Sequence, residues 1–280
     1  MNNKLVAIFL AVIMLMSILP LFFNTAPQQS SDDNAINYND APGFDSIPGA
    51  HVDHKFDSIA DGLDMVPKGV TSARYIDILK TSGTPLESFI ANAIQPAELY
   101  NANLTKTFFV DYNDGVSWME LHTISPEIIA FSYWLSPTSY NGYQLLIREN
   151  GIYNAIGTPL IFGPKDKVEG AIDVISGSAE RSNEFDHILS YADMDSEFQR
   201  VTSDTAFASQ YYLDLKGLDS GVYSRTAIYL DVVNSTFEKM TQFEANSTER
   251  GVAYNITTEG NITKVVVTGN FYLIINEPIE

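Results

Sequence analysis

Nineteen consecutive residues without a charge, Leu5 to Phe23, constrain this chain more than any other feature. At helical rise such a run spans about 28 Å, close to the hydrocarbon thickness of a bilayer. Lys4 precedes it and Asp32 and Asp33 follow, so the positive-inside rule predicts a cytoplasmic N-terminus with the bulk of the chain translocated. Asn24-Thr25-Ala26 puts Asn at −3 of the nearest cleavage position and Pro27 directly after the cut, a poor context for removal. The expectation is therefore a retained signal-anchor over residues 1–23 rather than a cleaved signal peptide. Residues 24–43 are rich in Asn, Asp, Ser and Pro without apolar periodicity, and read as a flexible spacer.

The expected address is thus the cell membrane, through residues 5–23, with the working part of the chain extracytoplasmic. Charge agrees with it. The 280 residues carry 35 acidic against 16 basic side chains, a net charge of −19, which argues against nucleic acid as a partner and against flat docking on anionic lipid. The absence of cysteine excludes a disulfide scaffold, thiol catalysis, cysteine-ligated metals and lipid attachment through a thiol. A hydrophobic content of 45% is enough to fill a core.

Beyond Phe44 the pattern predicts an α+β fold. Asn113-Asp114-Gly115 is a tight-turn signal joining strands over 107–112 and 116–121. Strands are also expected over 207–215 and 222–233, with a C-terminal meander over 252–257, 262–268 and 271–276. Ile76–Ser82, Ile172–Ser178 and Leu230–Thr236 resemble one another as short aliphatic strands ending in helix-capping residues, with Asp77, Asp173 and Asp231 facing solvent. Helical spacing follows each: Leu86, Phe89, Ile90 and Ala93; Phe185, Ile188 and Leu189; Phe237, Met240 and Phe243. Repeated strand–helix–strand–strand units suggest two ferredoxin-like lobes, 44–165 and 166–280, of mostly antiparallel sheet with helices on one face.

Chemistry is sparser. His51, Asp53, His54 and Asp57 combine imidazoles and carboxylates that are able to ligate a metal ion such as zinc, although their spacing matches no strong signature and a strand would split them between faces. A metal-dependent hydrolase built on these four is the alternative reading, with a solvated polar strand as its bland counterpart. His122 and His187 stand alone, which usually means a structural or exposed role. No nucleophile elbow, phosphate loop or EF-hand pattern is present, so no catalytic residue is assigned and no cofactor beyond that metal is expected. The aromatic run Phe131, Tyr133, Trp134, Tyr140 and Tyr143 has the chemistry of a rim for peptide or glycan, with core packing the commoner use. Five Asn-x-Ser/Thr acceptors, Asn103, Asn234, Asn246, Asn255 and Asn261, mark candidate glycosylation sites, four of them within 28 residues.

The stretch Gly43–Gly62 (GFDSIPGAHVDHKFDSIADG) resembles segments of uncharacterised membrane-anchored extracytoplasmic proteins of methanogenic archaea. That resemblance implies an envelope address and brings no catalytic residue with it. The leading functional expectation is a non-catalytic binding or assembly module of the envelope, with an envelope protein or glycan as partner.

Overall fold

The computed structural model describes residues 41–91, 99–218 and 221–278. The anchor expected at 1–23 and most of the spacer lie outside the described residues. The described residues belong to one compact unit, Asn37–Glu280.

In chain order the elements are β1 (Val52–Asp53), α1 (Ile59–Leu63), β2 (Val70–Asp77), α2 (Ile78–Thr81), α3 (Pro85–Ile90), β3 (Asn103–Tyr112) and β4 (Trp118–Ser125). Short strands follow: β5 (Trp134–Leu135), β6 (Leu145–Ile147), β7 (Ile152–Ala155), β8 (Gly157–Thr158) and β9 (Leu160–Pro164). The second half contains α4 (Lys165–Ile175), α5 (Asp186–Leu189), β10 (Phe198–Ser203), β11 (Gln210–Gly217), β12 (Val222–Leu230), α6 (Asn234–Ala245), β13 (Ala253–Glu259), β14 (Ile262–Asn270) and α7 (Phe271–Ile274).

Twelve of these strands form one sheet, in the order β13-β14-β12-β11-β10-β2-β3-β4-β9-β7-β6-β5. Its pairings are antiparallel throughout, so the protein is α+β with a large antiparallel sheet. The two expected lobes share this sheet: β2 pairs with β10, and the junction expected at 165 is where β9 passes into α4. The strand rule of alternating faces separates the cores. Tyr75, Phe108, Val201, Tyr212 and Ile228 belong to one cluster, closed by Ile59 and Leu63 of α1, Ala171 and Ile172 of α4, and Ile188 and Leu189 of α5. On the other face, Ile76, Leu215, Tyr229 and Val265 pack with Leu86 and Ile90 of α3, Met240 of α6 and Phe271 and Ile274 of α7. The helices, expected on one face, are thus divided between the two, because an apolar stripe says that a helix packs but not on which side of the sheet.

The Asn113-Asp114-Gly115 turn is in place. Gly115 adopts φ 69°, and Asp114 accepts from the backbone N–H of Val116 (3.0 Å) and Ser117 (2.7 Å). With Ser117 donating through its hydroxyl as well, these bonds hold the Asp114 carboxyl down at about 2. Three local expectations are corrected. Ile172–Ile175 closes α4 rather than forming a strand, since Val168, Ala171 and Ile172 are buried at helical spacing. Phe271–Ile274 is helical, started by Asn270, whose side chain accepts from Tyr272 N–H (3.0 Å). Asp231 follows β12 in the left-handed region (φ 54°), and its backbone N–H donates to Asn261 O (2.9 Å).

β1 pairs in parallel with β8 as a separate two-stranded piece. Its close approach requires a glycine: Gly157 has φ +149°, and a Cβ there would lie 2.2 Å from Val52 O. This contact, with Val52 buried, docks the His51–Asp57 segment onto the domain. Among the described residues no helix is long and apolar enough to cross a membrane.

Candidate functional site: a lysine–aspartate cleft

Phe56 is the peg from which the site is built. Its buried ring stands edge-on to Tyr75 (5.5 Å) and Phe108 (6.4 Å), fixing the residues on either side at the ends of β2 and β3. Ser58 then starts α1 in the manner of a capping box. Its Oγ accepts from Asp61 N–H (3.2 Å), while the Asp61 carboxylate accepts from Asp57 N–H (2.8 Å) and from the Lys55 ammonium (3.1 Å). Asp77, the last residue of β2, caps α2 by accepting from Lys80 N–H (3.1 Å). It is buried, not the solvent-facing mid-strand residue of the sequence reading. Lys106 sits opposite Asp77 in the β2–β3 register and donates to Asp57 (2.6 Å) and to Phe56 O (3.1 Å).

The facing wall is the segment 191–196, laid over β10, β11 and β14. Lys216 donates to Asp193 (2.7 Å), Lys80 to Asp195 (2.8 Å) and Lys264 to Tyr191 O (2.8 Å). Fully buried Gln199 links both walls: its amide donates to Met194 O (2.9 Å) and Ser196 O (3.0 Å), and its carbonyl accepts from Ile59 N–H of α1 (2.8 Å).

Between the walls lies a cavity of about 480 Å³, bounded on one side by Lys55, Asp57, Asp77, Lys80 and Lys106 and on the other by Asp193, Met194 and Asp195. In a chain with twice as many acids as bases, this grouping of lysines is the marked feature. Hydrogen bonds from lysines depress the carboxyls of Asp57 (Lys106), Asp193 (Lys216) and Asp195 (Lys80). The same bonds raise the ammonium groups of Lys80 and Lys216, and Asp61 raises that of Lys55. These groups stay ionised across the neutral range, which suits recognition of charge better than proton transfer. Lys106→Met is expected to return Asp57 toward its ordinary carboxylate titration, followed by carboxyl NMR. An unmoved Asp57 would mean that the Lys106 contact is not formed in solution.

The four metal candidates are not brought together. His51 Nε2 lies 2.9 Å from Ile47 O, and His54 Nδ1 lies 2.9 Å from Lys55 O, so each imidazole has a ring nitrogen at a backbone carbonyl. Asp53 is exposed on β1, and Asp57 is paired with Lys106. Among the described residues no three His, Asp or Glu side chains form a group suited to a metal ion. His122 is buried, with Nδ1 2.8 Å from Tyr100 Oη and Nε2 2.8 Å from Glu120. The Glu-x-His spacing on a strand was the available signal for that pair. His187 is exposed beside Tyr191. Of the aromatic run, Phe131 is buried under the Arg148 guanidinium (4.3 Å), Tyr140 donates to Asp173 (2.8 Å), and Trp134 is exposed on edge strand β5.

A family model described as a family N-terminal domain matches residues 55–176. That segment begins at Lys55, ends just after α4, and contains the first wall of the cleft but not Asp193–Asp195. No curated protein matches the chain. Three crystal forms of TP0453 are similar at the level of the backbone. Form I has a TM-score of 0.48 at 13% identity, covering 79% of this chain and 93% of that one. Form III gives 0.48 at 12% (77% and 95%), and form IV 0.47 at 10% (77% and 96%).

Proposed function

We propose that this protein is a membrane-tethered, extracytoplasmic and non-catalytic binding module of the cell envelope, which holds a partner in the lysine–aspartate cleft. One observation carries the reading: the cleft's charged groups are already tied to one another in close pairs, Lys106–Asp57 (2.6 Å), Lys80–Asp195 (2.8 Å) and Lys216–Asp193 (2.7 Å). This pairing moves the three carboxyls down and Lys80 and Lys216 up, away from neutrality. A general acid or base needs the opposite arrangement. A partner entering the cleft must exchange with these pairs, so the fitting occupant is a peptide segment of an envelope protein that carries both charge signs. A single-sign ligand would satisfy one set of groups and strand the other. The address is supported by the Leu5–Phe23 run behind Lys4 and by the likeness of Gly43–Gly62 to membrane-anchored archaeal proteins.

Two measurements test it. Carbonate-washed membranes should retain the chain, with the domain open to external protease; a freely soluble cytoplasmic protein would end the tether reading. A photo-crosslinking residue at position 55 should capture a discrete partner in native membranes, while one at exposed position 116 should not. The adduct should weaken several-fold in about 1 M salt, where the Debye length falls to ~3 Å. Equal capture at both positions would remove the cleft from the account.

A further inference from the structure

The free edge of the sheet carries a second set of residues that the cleft does not use. β13 is the terminal strand of the sheet at this end, and its outer backbone groups face no other strand among the described residues. Natural sheets protect such edges with proline, lysine, bulges or extreme shortness. The opposite edge, β5, uses shortness, with two residues. β13 is seven residues long, Ala-Tyr-Asn-Ile-Thr-Thr-Glu, with neither proline nor lysine and one charge at its last position. By elementary rules it is an edge prone to pairing with another chain.

Four glycosylation acceptors surround it. Asn255 lies in β13, exposed on the face opposite half-buried Tyr254 and Ile256. Asn261 is exposed in the turn leading to β14, and its amide donates to Asp231 (3.1 Å), three residues before Asn234. Asn234 begins α6, the helix packed against β13, Asn246 directly follows it, and both are exposed. The acceptors therefore stand at both ends and in the middle of a strand that carries no proline, lysine or bulge of its own. We infer that N-linked glycans on these asparagines shield the β13 edge.

The inference rests on the extracytoplasmic reading, because the donor, a glycan carried on a membrane lipid phosphate or pyrophosphate, is used outside the cytoplasm. In the transfer the asparagine Nδ2 bonds to the anomeric carbon. The bond from that carbon to the phosphate oxygen breaks, the lipid phosphate leaves with the electron pair, and Nδ2 releases one proton. The hydroxyl two residues on sorts the sites. Thr257 and Thr248 are exposed, so Asn255 and Asn246 accept on the folded domain. Thr236 (5% exposed) and Thr263 (2%) are buried, so Asn234 and Asn261 must be modified before folding is complete.

The test uses the full chain purified from its own membranes, with peptide mass spectrometry at each acceptor. Glycan mass is expected on Asn255 and Asn246. Thr257→Ala should abolish it at Asn255 and Thr257→Ser should keep it, neither variant altering the asparagine. Enzymatic or chemical removal of the glycans should raise the sedimenting mass at least twofold. Bare asparagines on a chain that external protease reaches would overturn the glycan inference alone, whereas bare asparagines on a cytoplasmic chain would overturn the address as well. Glycans whose removal leaves the sedimenting mass unchanged would overturn the shielding role.

Discussion

Asp214→Asn is expected to stabilise the Asn37–Glu280 unit by about 2–4 kcal/mol at pH 8 and to change it little at pH 4. Asp214 lies on β11 beneath the segment 191–196 and is 1% exposed. Neither carboxylate oxygen has a well-formed donor, and Thr226 and Tyr212 offset only part of the desolvation, so burial raises its pKa from 3.8 to about 7. The folded chain therefore holds this proton more tightly than the unfolded one. Below about pH 4 both states are protonated and there is no penalty. Between 4 and 7 the unfolded carboxyl ionises first, and stability falls as pH rises. Above 7 the full cost is present, at most about 4 kcal/mol at 1.36 kcal/mol per unit. Urea unfolding at the two pH values checks it, and an asparagine variant less stable than the parent at pH 8 would show that the carboxylate has a cation partner in solution.

Asp214 also shows where sequence reading stops. Tyr211–Leu215 alternates as a strand should, and the strand was legible for that reason. Nothing local distinguishes an aspartate facing water from one covered by a segment twenty residues earlier. The NDG hairpin, the helix over 85–90 and the β13–β14 pair were readable because their determinants are turn residues and short-range periodicity. The sequence misleads where a short aliphatic or aromatic run fits either period. Ile172–Ile175 and Phe271–Ile274 have strand-like composition, but burial at helical spacing makes the first helical and the Asn270 cap starts a helix at the second. Asp77, Asp173 and Asp231 looked equivalent in sequence, yet one ends a strand as a buried cap, one lies in α4 and one sits in a left-handed turn. The cleft was invisible because its pairs join distant positions. Lys106 meets Asp57 and Lys80 meets Asp195 only after β2, β3 and β10 are in register.

Gln199→Leu is expected to cost about 3–5 kcal/mol, far more than the loss of the Lys80 side chain in the cleft. Leucine fills a similar volume but leaves the Ile59 N–H and the carbonyls of Met194 and Ser196 without the partner that Gln199 supplies. Each buried group stranded in this way costs about 1–3 kcal/mol. Lys80→Ala, by contrast, breaks an ion pair to Asp195 whose side chains are 47% and 74% exposed, of a kind that contributes about 0–1 kcal/mol. It also removes a 3.9 Å contact to Asp77, which keeps the backbone N–H of residue 80 as donor. The two walls of the cleft are thus joined by a neutral buried amide, and the visible charges are left free to be exchanged by a ligand. The variants should separate in two readouts. Gln199→Leu should lower the urea midpoint strongly and speed exchange of the Ile59 amide, while Lys80→Ala should leave both nearly unchanged and reduce crosslinking at position 55. If Lys80→Ala destabilises the fold as much as Gln199→Leu, the lysines are structural and the cleft loses its claim to a partner.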